Sequence, residues 1–206
     1  MEKGMALLTA VLSILVVCTP VKSQQPMTPV FFKPFVDGRN WIVGEPLIYR
    51  IGISQDSITI PVGFVTDFAS IPPALQSFIQ QNGPSLLPAV VHDDLYWKQT
   101  CTKDQTDQIL LLAMTEHNVP EAQRVAIYQA VHWAGVFAWD ANVRDRKAGL
   151  VRILPPERRN IGANMLWPSY RQELLQQGVS GRLDTVIPEA FCRRADMSLD
   201  DALKKP

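Results

Sequence analysis

The stretch Pro61–Tyr96, PVGFVTDFASIPPALQSFIQQNGPSLLPAVVHDDLY, changes its hydrophobic period midway. It starts as a strand, turns through a loop from Gly63 to Pro73, and ends with helical spacing. Any fold must therefore place a strand edge, a loop and a helix in close succession. Two polar clusters sit in this stretch among apolar neighbours. Thr66, Asp67 and Ser70 lie among Phe64, Val65, Phe68, Ala69 and Ile71. His92, Asp93 and Asp94 lie between Ala89-Val90-Val91 and Leu95-Tyr96-Trp97. Burying carboxylates or an imidazole without partners is costly, so these groups must satisfy one another, a metal or a substrate.

Upstream of this stretch the pattern is one of strands. Short β-branched and aromatic runs, Val30-Phe31-Phe32, Trp41-Ile42-Val43, Leu47–Ile53 and Ile58-Thr59-Ile60, are separated by turn residues such as Asp37-Gly38. Downstream it is helical. A helix over Ala74–Gln81 ends at Asn82-Gly83-Pro84, and Ser85 is placed to cap the next one, which carries His92 to Trp97. Thr102 with Gln105 forms a capping box for a helix from Lys103 to about His117. Asn118 is expected to cap a long helix that starts near Pro120 and is interrupted by Gly135 for close packing. Its Trp133 and Phe137 have the spacing of a core stripe. A further helix over Asn164–Gln177 is expected to break at Trp167-Pro168. The fold class is α+β: an N-terminal antiparallel β meander, then a helical core whose antiparallel helix pair carries the candidate site.

The chain has 206 residues, enough for one domain with appendages. A charged start at Lys3, an apolar run from Met5 to Val17, Pro20 and a small residue at Ser23 form the pattern of a signal peptide over residues 1–23. A domain over residues 24–148 and a C-terminal extension over 149–206 follow. The expectation is export to the periplasm or medium, with an uncleaved N-terminal anchor as the alternative. Without the first 23 residues the only cysteines are Cys101 and Cys192. In an exported chain such a pair suggests one disulfide, although two free thiols fit the spacing as well. Lys plus Arg and Asp plus Glu balance at 20 each, which offers no basic field to nucleic acid.

On a helix, His92 and Tyr96 share a face, and the short link around Thr100–Thr102 brings the next helix back alongside. Asp107 on that helix can then orient His92, Tyr96 can donate to Asp107, and His92 can act as a general base on water. Asp93 is free to take a hard cation together with carbonyls of the Gly63–Ser70 loop. Thr66, Asp67, Ser70 and Asp94 complete the candidate substrate and loop set. The structural alternatives stay open beside these roles. A His-Asp pair on a helix is more often a satisfied polar contact, and Asp67 and Ser70 can serve as caps of turns or helices. A zinc site from His92, Asp93 and His132 lacks a close ligand pair such as His-x-x-x-His.

Three blocks, GFVTDFASIPP, AVVHDDLYW and TDQILLLAM, occur in that order and resemble the bacterial and phage family known as domain of unknown function 1353 (DUF1353). That resemblance covers roughly Pro61 to Gly135 and implies a shared fold without an activity. More locally, His92-Asp93-Asp94-Leu95-Tyr96 is similar to the His-Asp-x-x-Tyr motif of secreted and viral phospholipases of the A2 type. Carried over, the resemblance implies His92 as the water-activating base, Asp93 as a calcium ligand, and Tyr96 and Asp107 as supports of His92. The motif's flanking cysteines and Gly-rich calcium loop have no counterpart here. The implied substrate is a phospholipid or another small ester, met at most by peripheral membrane contact.

Overall fold

The computed structural model describes residues 27–68, 83–181 and 187–203. The helix expected over Ala74–Gln81, Ser70 and the N-terminal segment lie outside the described residues. Five short strands come first: β1 Phe32–Pro34, β2 Trp41–Val43, β3 Leu47–Arg50, β4 Ser57–Ile60 and β5 Val65–Thr66. The helices follow: α1 Leu86–Lys98, α2 Lys103–Glu116, α3 Glu121–Lys147, α4 Trp167–Gln176 and α5 Leu199–Leu203. A single 3-10 turn lies at Pro156–Arg158 and a longer 3-10 segment at Ala190–Asp196. The chain is α+β, as its periodicity predicts.

The strands do not form one meander. β1, β2 and β5 make one antiparallel sheet in that order, and β3 and β4 make a separate hairpin. In β2, Ile42 pairs with Lys33 on one side and with Val65 on the other. β5 thus returns across a gap in sequence to the edge of the first hairpin, a non-local pairing that strand periodicity does not encode. The Asp37-Gly38 turn forms as expected. Asp37 Oδ1 accepts from the amides of Arg39 and Asn40 at 2.9 Å each.

The helix ends follow local chemistry with three corrections. The capping box at Thr102 is present, its hydroxyl accepting from the Gln105 amide and Gln105 Oε1 accepting from the Thr102 amide. Ser85 stands at the N-cap of α1, but its side chain makes no capping bond. Asn118 does not start α3. It takes a left-handed conformation, φ +57°, just past the end of α2, a position Asn tolerates, and Pro120 stands at the N-cap of α3. Trp167-Pro168 does not break a helix but begins α4, where proline's missing amide costs nothing.

Three apolar clusters hold the elements. β3, β4, α1 and α2 share the largest, around Leu47, Tyr49, Ile60, Val91, Leu95, Ile109 and Leu112. A second joins the first sheet to the later chain through Phe35, Ile42, Val65, Leu154, Trp167 and Leu174. A third fills the space between α2 and α3 with Leu110, Met114, Ile127 and Val131. The Trp133-Phe137 stripe lies on the other side of α3. The two rings are 75% and 76% exposed, so they are not core. Their four-residue spacing puts them on one face, but spacing alone does not say which face is buried. Among the described residues no helix is long and apolar enough to cross a membrane.

Candidate functional site

α1 ends at Gln99, which turns left-handed at φ +57° and returns its amide to Leu95 O. The chain then enters α2 at the Thr102 cap, so α1 and α2 lie side by side. The His92 ring of α1 meets Asp107 of α2, with Nε2 3.0 Å from Asp107 Oδ1. Tyr96, one turn after His92, donates its hydroxyl to the same oxygen at 2.7 Å. The two rings lie against each other, with centroids 4.0 Å apart.

Asp107 is fully buried and serves three donors. Its Oδ2 accepts from Lys103 Nζ at 2.7 Å. Burial alone would push this carboxyl up, but the bonds from His92, Lys103 and Tyr96 outweigh it and hold Asp107 below its ordinary value. Tyr96 is pushed the other way, well above its usual range, first by burial and then by the Asp107 charge. An anionic carboxylate can only accept hydrogen bonds. When the imidazole is neutral its proton therefore sits on Nε2, and Nδ1 presents a lone pair.

Three residues not anticipated as part of this group complete it. Lys103 Nζ also donates to Val131 O and His132 O, at 3.2 and 2.9 Å, and so ties α2 to the middle of α3. The i, i+4 spacing of Lys103 and Asp107 was visible in the sequence as a favourable helical pair. Trp139 packs edge-on to Tyr96 at 5.1 Å. Gly135 brings the backbone of α3 against the Tyr96 hydroxyl, and a Cβ there would overlap that oxygen. Gly135 does not interrupt α3, which runs unbroken from Glu121 to Lys147, but it is the close-packing site expected.

The second polar cluster meets Asp93 rather than His92. Thr66 donates its hydroxyl to Asp93 Oδ2 at 2.6 Å, and the Asp67 amide approaches the same oxygen at 3.3 Å. Burial, and then the neighbouring Asp67 carboxyl, push Asp93 well above the ordinary carboxylate range, and Arg152 and Thr66 only partly oppose this. Arg152 Nη2 stands 3.6 Å from Asp67 Oδ1. Its Nε donates to Val65 O and its Nη1 to Asn142 Oδ1, and Asn142 in turn donates to Tyr96 O. This chain links β5, α3 and α1. Arg152 carried no local signal in the sequence, because all its partners are distant.

These contacts do not suit calcium at Asp93. One carboxylate oxygen already takes a hydroxyl and an amide, the group favours its proton, and the guanidinium of Arg152 supplies positive charge beside it. Asp94 points elsewhere again. Two residues from His92 on the helix, it forms an ion pair with Lys98 Nζ at 2.7 Å and belongs with neither cluster. Burial raises it to about 6, with the Lys98 charge pulling the other way. The zinc grouping of His92, Asp93 and His132 does not assemble. Among the described residues, the acids and histidine that come within ligand range are Asp104, Asp107 and His132, their ligand atoms within 4.8 Å of one another. The Lys103 ammonium on Asp107 Oδ2 already supplies the positive charge there.

The half-cystine expectation is met: Cys101 and Cys192 are joined, with Cα atoms 5.4 Å apart. The bond fastens the α1–α2 link to the 3-10 segment Ala190–Asp196. No curated protein and no solved structure matches the chain. A family model described as "Protein of unknown function (DUF1353)" matches residues 41–131, from β2 to the middle of α3. That span takes in both polar clusters, Lys103, Asp107 and all three sequence blocks, and it supports the resemblance to DUF1353.

Proposed function

We propose that this protein is an exported hydrolase in which His92 is the general base and Asp107 its positioning partner, acting on an ester of phospholipid type. The observation that carries this is the 3.0 Å contact between His92 Nε2 and an Asp107 held anionic by Tyr96 and Lys103. In the step it supports, water loses a proton to His92 Nδ1 as its oxygen attacks the ester carbonyl. The imidazolium formed is stabilised by Asp107, and it returns the proton to the departing alkoxide. Tyr96 and Lys103 act through Asp107 and are positioning residues. No step requires a metal.

Two features support the substrate class and compartment. Trp133, Val136 and Phe137 are exposed on α3, the helix that meets Tyr96 through Gly135, and aromatic rings of this kind suit a lipid–water boundary. The signal-peptide pattern of residues 1–23 and the Cys101–Cys192 bond both suit an oxidising compartment outside the cytoplasm.

A second reading, a non-catalytic envelope or phage-derived assembly module, is favoured by one observation. His92 is only 3% exposed, so hydrolysis requires an opening that bares Nδ1, whereas a structural pin requires none. Short-chain and long-chain phospholipid hydrolysis by the chain lacking residues 1–23, with and without a chelator, tests the proposal. Turnover that is indifferent to the chelator is expected. A folded protein that turns over no ester supports the assembly module instead.

A further inference from the structure

A cavity of about 610 Å³ opens where the end of α1 meets the chain beyond α3. Its volume falls within the range of small-molecule sites, about 300–1,000 Å³. None of His92, Tyr96 and Asp107 lines it, so it is separate from the dyad. Its walls are apolar along Trp97, Leu150 and Ile153, and Ile187 stands at the rim, 72% exposed.

The charge of this cavity is one-sided. Among the described residues, Lys98, Arg146, Arg152 and Arg159 line it, against the single carboxylate of Glu189. Two of the four cations are answered within the fold, Lys98 by Asp94 and Arg152 by Asp67. The other two are not. Arg146 donates to Lys98 O and reaches Gln99 Oε1, and Arg159 donates to Leu154 O, all of them uncharged acceptors. Among the described residues no carboxylate comes within ion-pair distance of either guanidinium. Both guanidinium groups are partly buried, and partly withdrawn charge of one sign attracts an anion more strongly than the same charge in open water. The backbone makes specific room for one of them. At Gly63, φ +89°, a Cβ would lie 2.6 Å from Arg159 Nε and 2.5 Å from Leu154 O.

We propose that the cavity binds an anionic amphiphile: a carboxylate or phosphate group neutralised by Arg146 and Arg159, carried on an apolar body that lies along Trp97, Leu150 and Ile153. Arginine suits either head group, because its planar fork can give two parallel hydrogen bonds to carboxylate or phosphate oxygens. The apolar walls distinguish this ligand from a free inorganic anion, and the arginines distinguish it from a neutral lipid. The site does not depend on hydrolysis at His92.

Calorimetric titration of the chain lacking residues 1–23 tests this with four probes below their micellar range: laurate, dodecyl phosphate, dodecanol and inorganic phosphate. Laurate and dodecyl phosphate are expected to bind saturably with one site per chain. Dodecanol and inorganic phosphate should each be weaker by about tenfold or more. Arg146→Gln and Arg159→Gln should each weaken laurate by about tenfold, as expected for loss of one charge-assisted contact. Circular dichroism accompanies each variant. Should either arginine variant fail to fold, Ile187→Glu decides: it sets a negative charge at the rim of the same cavity, it should weaken laurate, and laurate binding unchanged by it overturns the proposal. No saturable binding of either amphiphile overturns the proposal. So does dodecanol or phosphate binding as tightly as dodecyl phosphate, or laurate binding unchanged in the folded variants.

Discussion

Gly135 of α3 stands directly against the Tyr96 hydroxyl of α1, leaving no space for a side chain at position 135. Tyr96 spends that hydroxyl on Asp107 Oδ1, so the packing of α3 fixes the carboxylate that orients His92. Gly135→Ala should therefore move Tyr96 away from Asp107. Overpacking of this kind costs about 1–3 kcal/mol, against a gain of up to about 1 kcal/mol in helix propensity. A net loss of about 1 kcal/mol is expected in urea unfolding. The loss should shrink in a Tyr96→Phe background, where the clashing oxygen is gone. A variant more stable than the parent in both backgrounds would contradict the close apposition.

Asp94 makes stability depend on pH in a definite direction. Its carboxyl is raised to about 6 in the folded chain by burial, above an unfolded value of about 3.9. Between those values the folded chain keeps a proton that the unfolded chain has released. The stability this contributes is present at lower pH and is lost as pH rises through about 6, with a ceiling of about 3 kcal/mol. Asp94→Asn removes this dependence. Urea midpoints measured between about pH 4 and pH 7 should fall more steeply for the parent than for the variant. Asp93, raised in the same sense, is common to both. Equal slopes would show that Asp94 does not hold its proton.

The disulfide joins positions 91 residues apart. Loss of a bond closing so long a loop costs typically about 2–4 kcal/mol. The chain lacking residues 1–23 should show no reactive thiol until it is reduced, two afterwards, and a lower melting temperature in reductant. Alkylation at both Cys101 and Cys192 without reduction would contradict the bond.

Much of the helical hairpin was legible in the sequence because its signals are local. The Thr102–Gln105 cap, the four-residue step from His92 to Tyr96 and the short link to Asp107 together dictate which side chains meet. The sheet was less legible, since β5 has only two residues and finds its partner across two intervening strands. The four-residue step from Trp133 to Phe137 encodes a shared face but not whether that face is buried. Asn118 is ambiguous in sequence because Asn suits both an N-cap and a left-handed C-terminal position. The partners that occupy Asp93, Thr66 and Arg152, are both distant in sequence. Arg152 reaches the site from well beyond the polar clusters, and no periodicity announces such a contact.

The central claim is that His92 does chemistry on water rather than merely filling a polar slot beside Asp107. His92→Gln separates the two, because its longer amide can reach the place of Nε2 and still donate to Asp107 Oδ1 but has no basic nitrogen. The most direct measurement is the rate of phospholipid ester hydrolysis by parent and His92→Gln proteins of equal melting temperature. Turnover is expected in the parent and a loss of about 10²–10⁴-fold in the variant, the range typical of general-base catalysis. Equal rates in the two folded proteins, or no turnover in the parent, would contradict it.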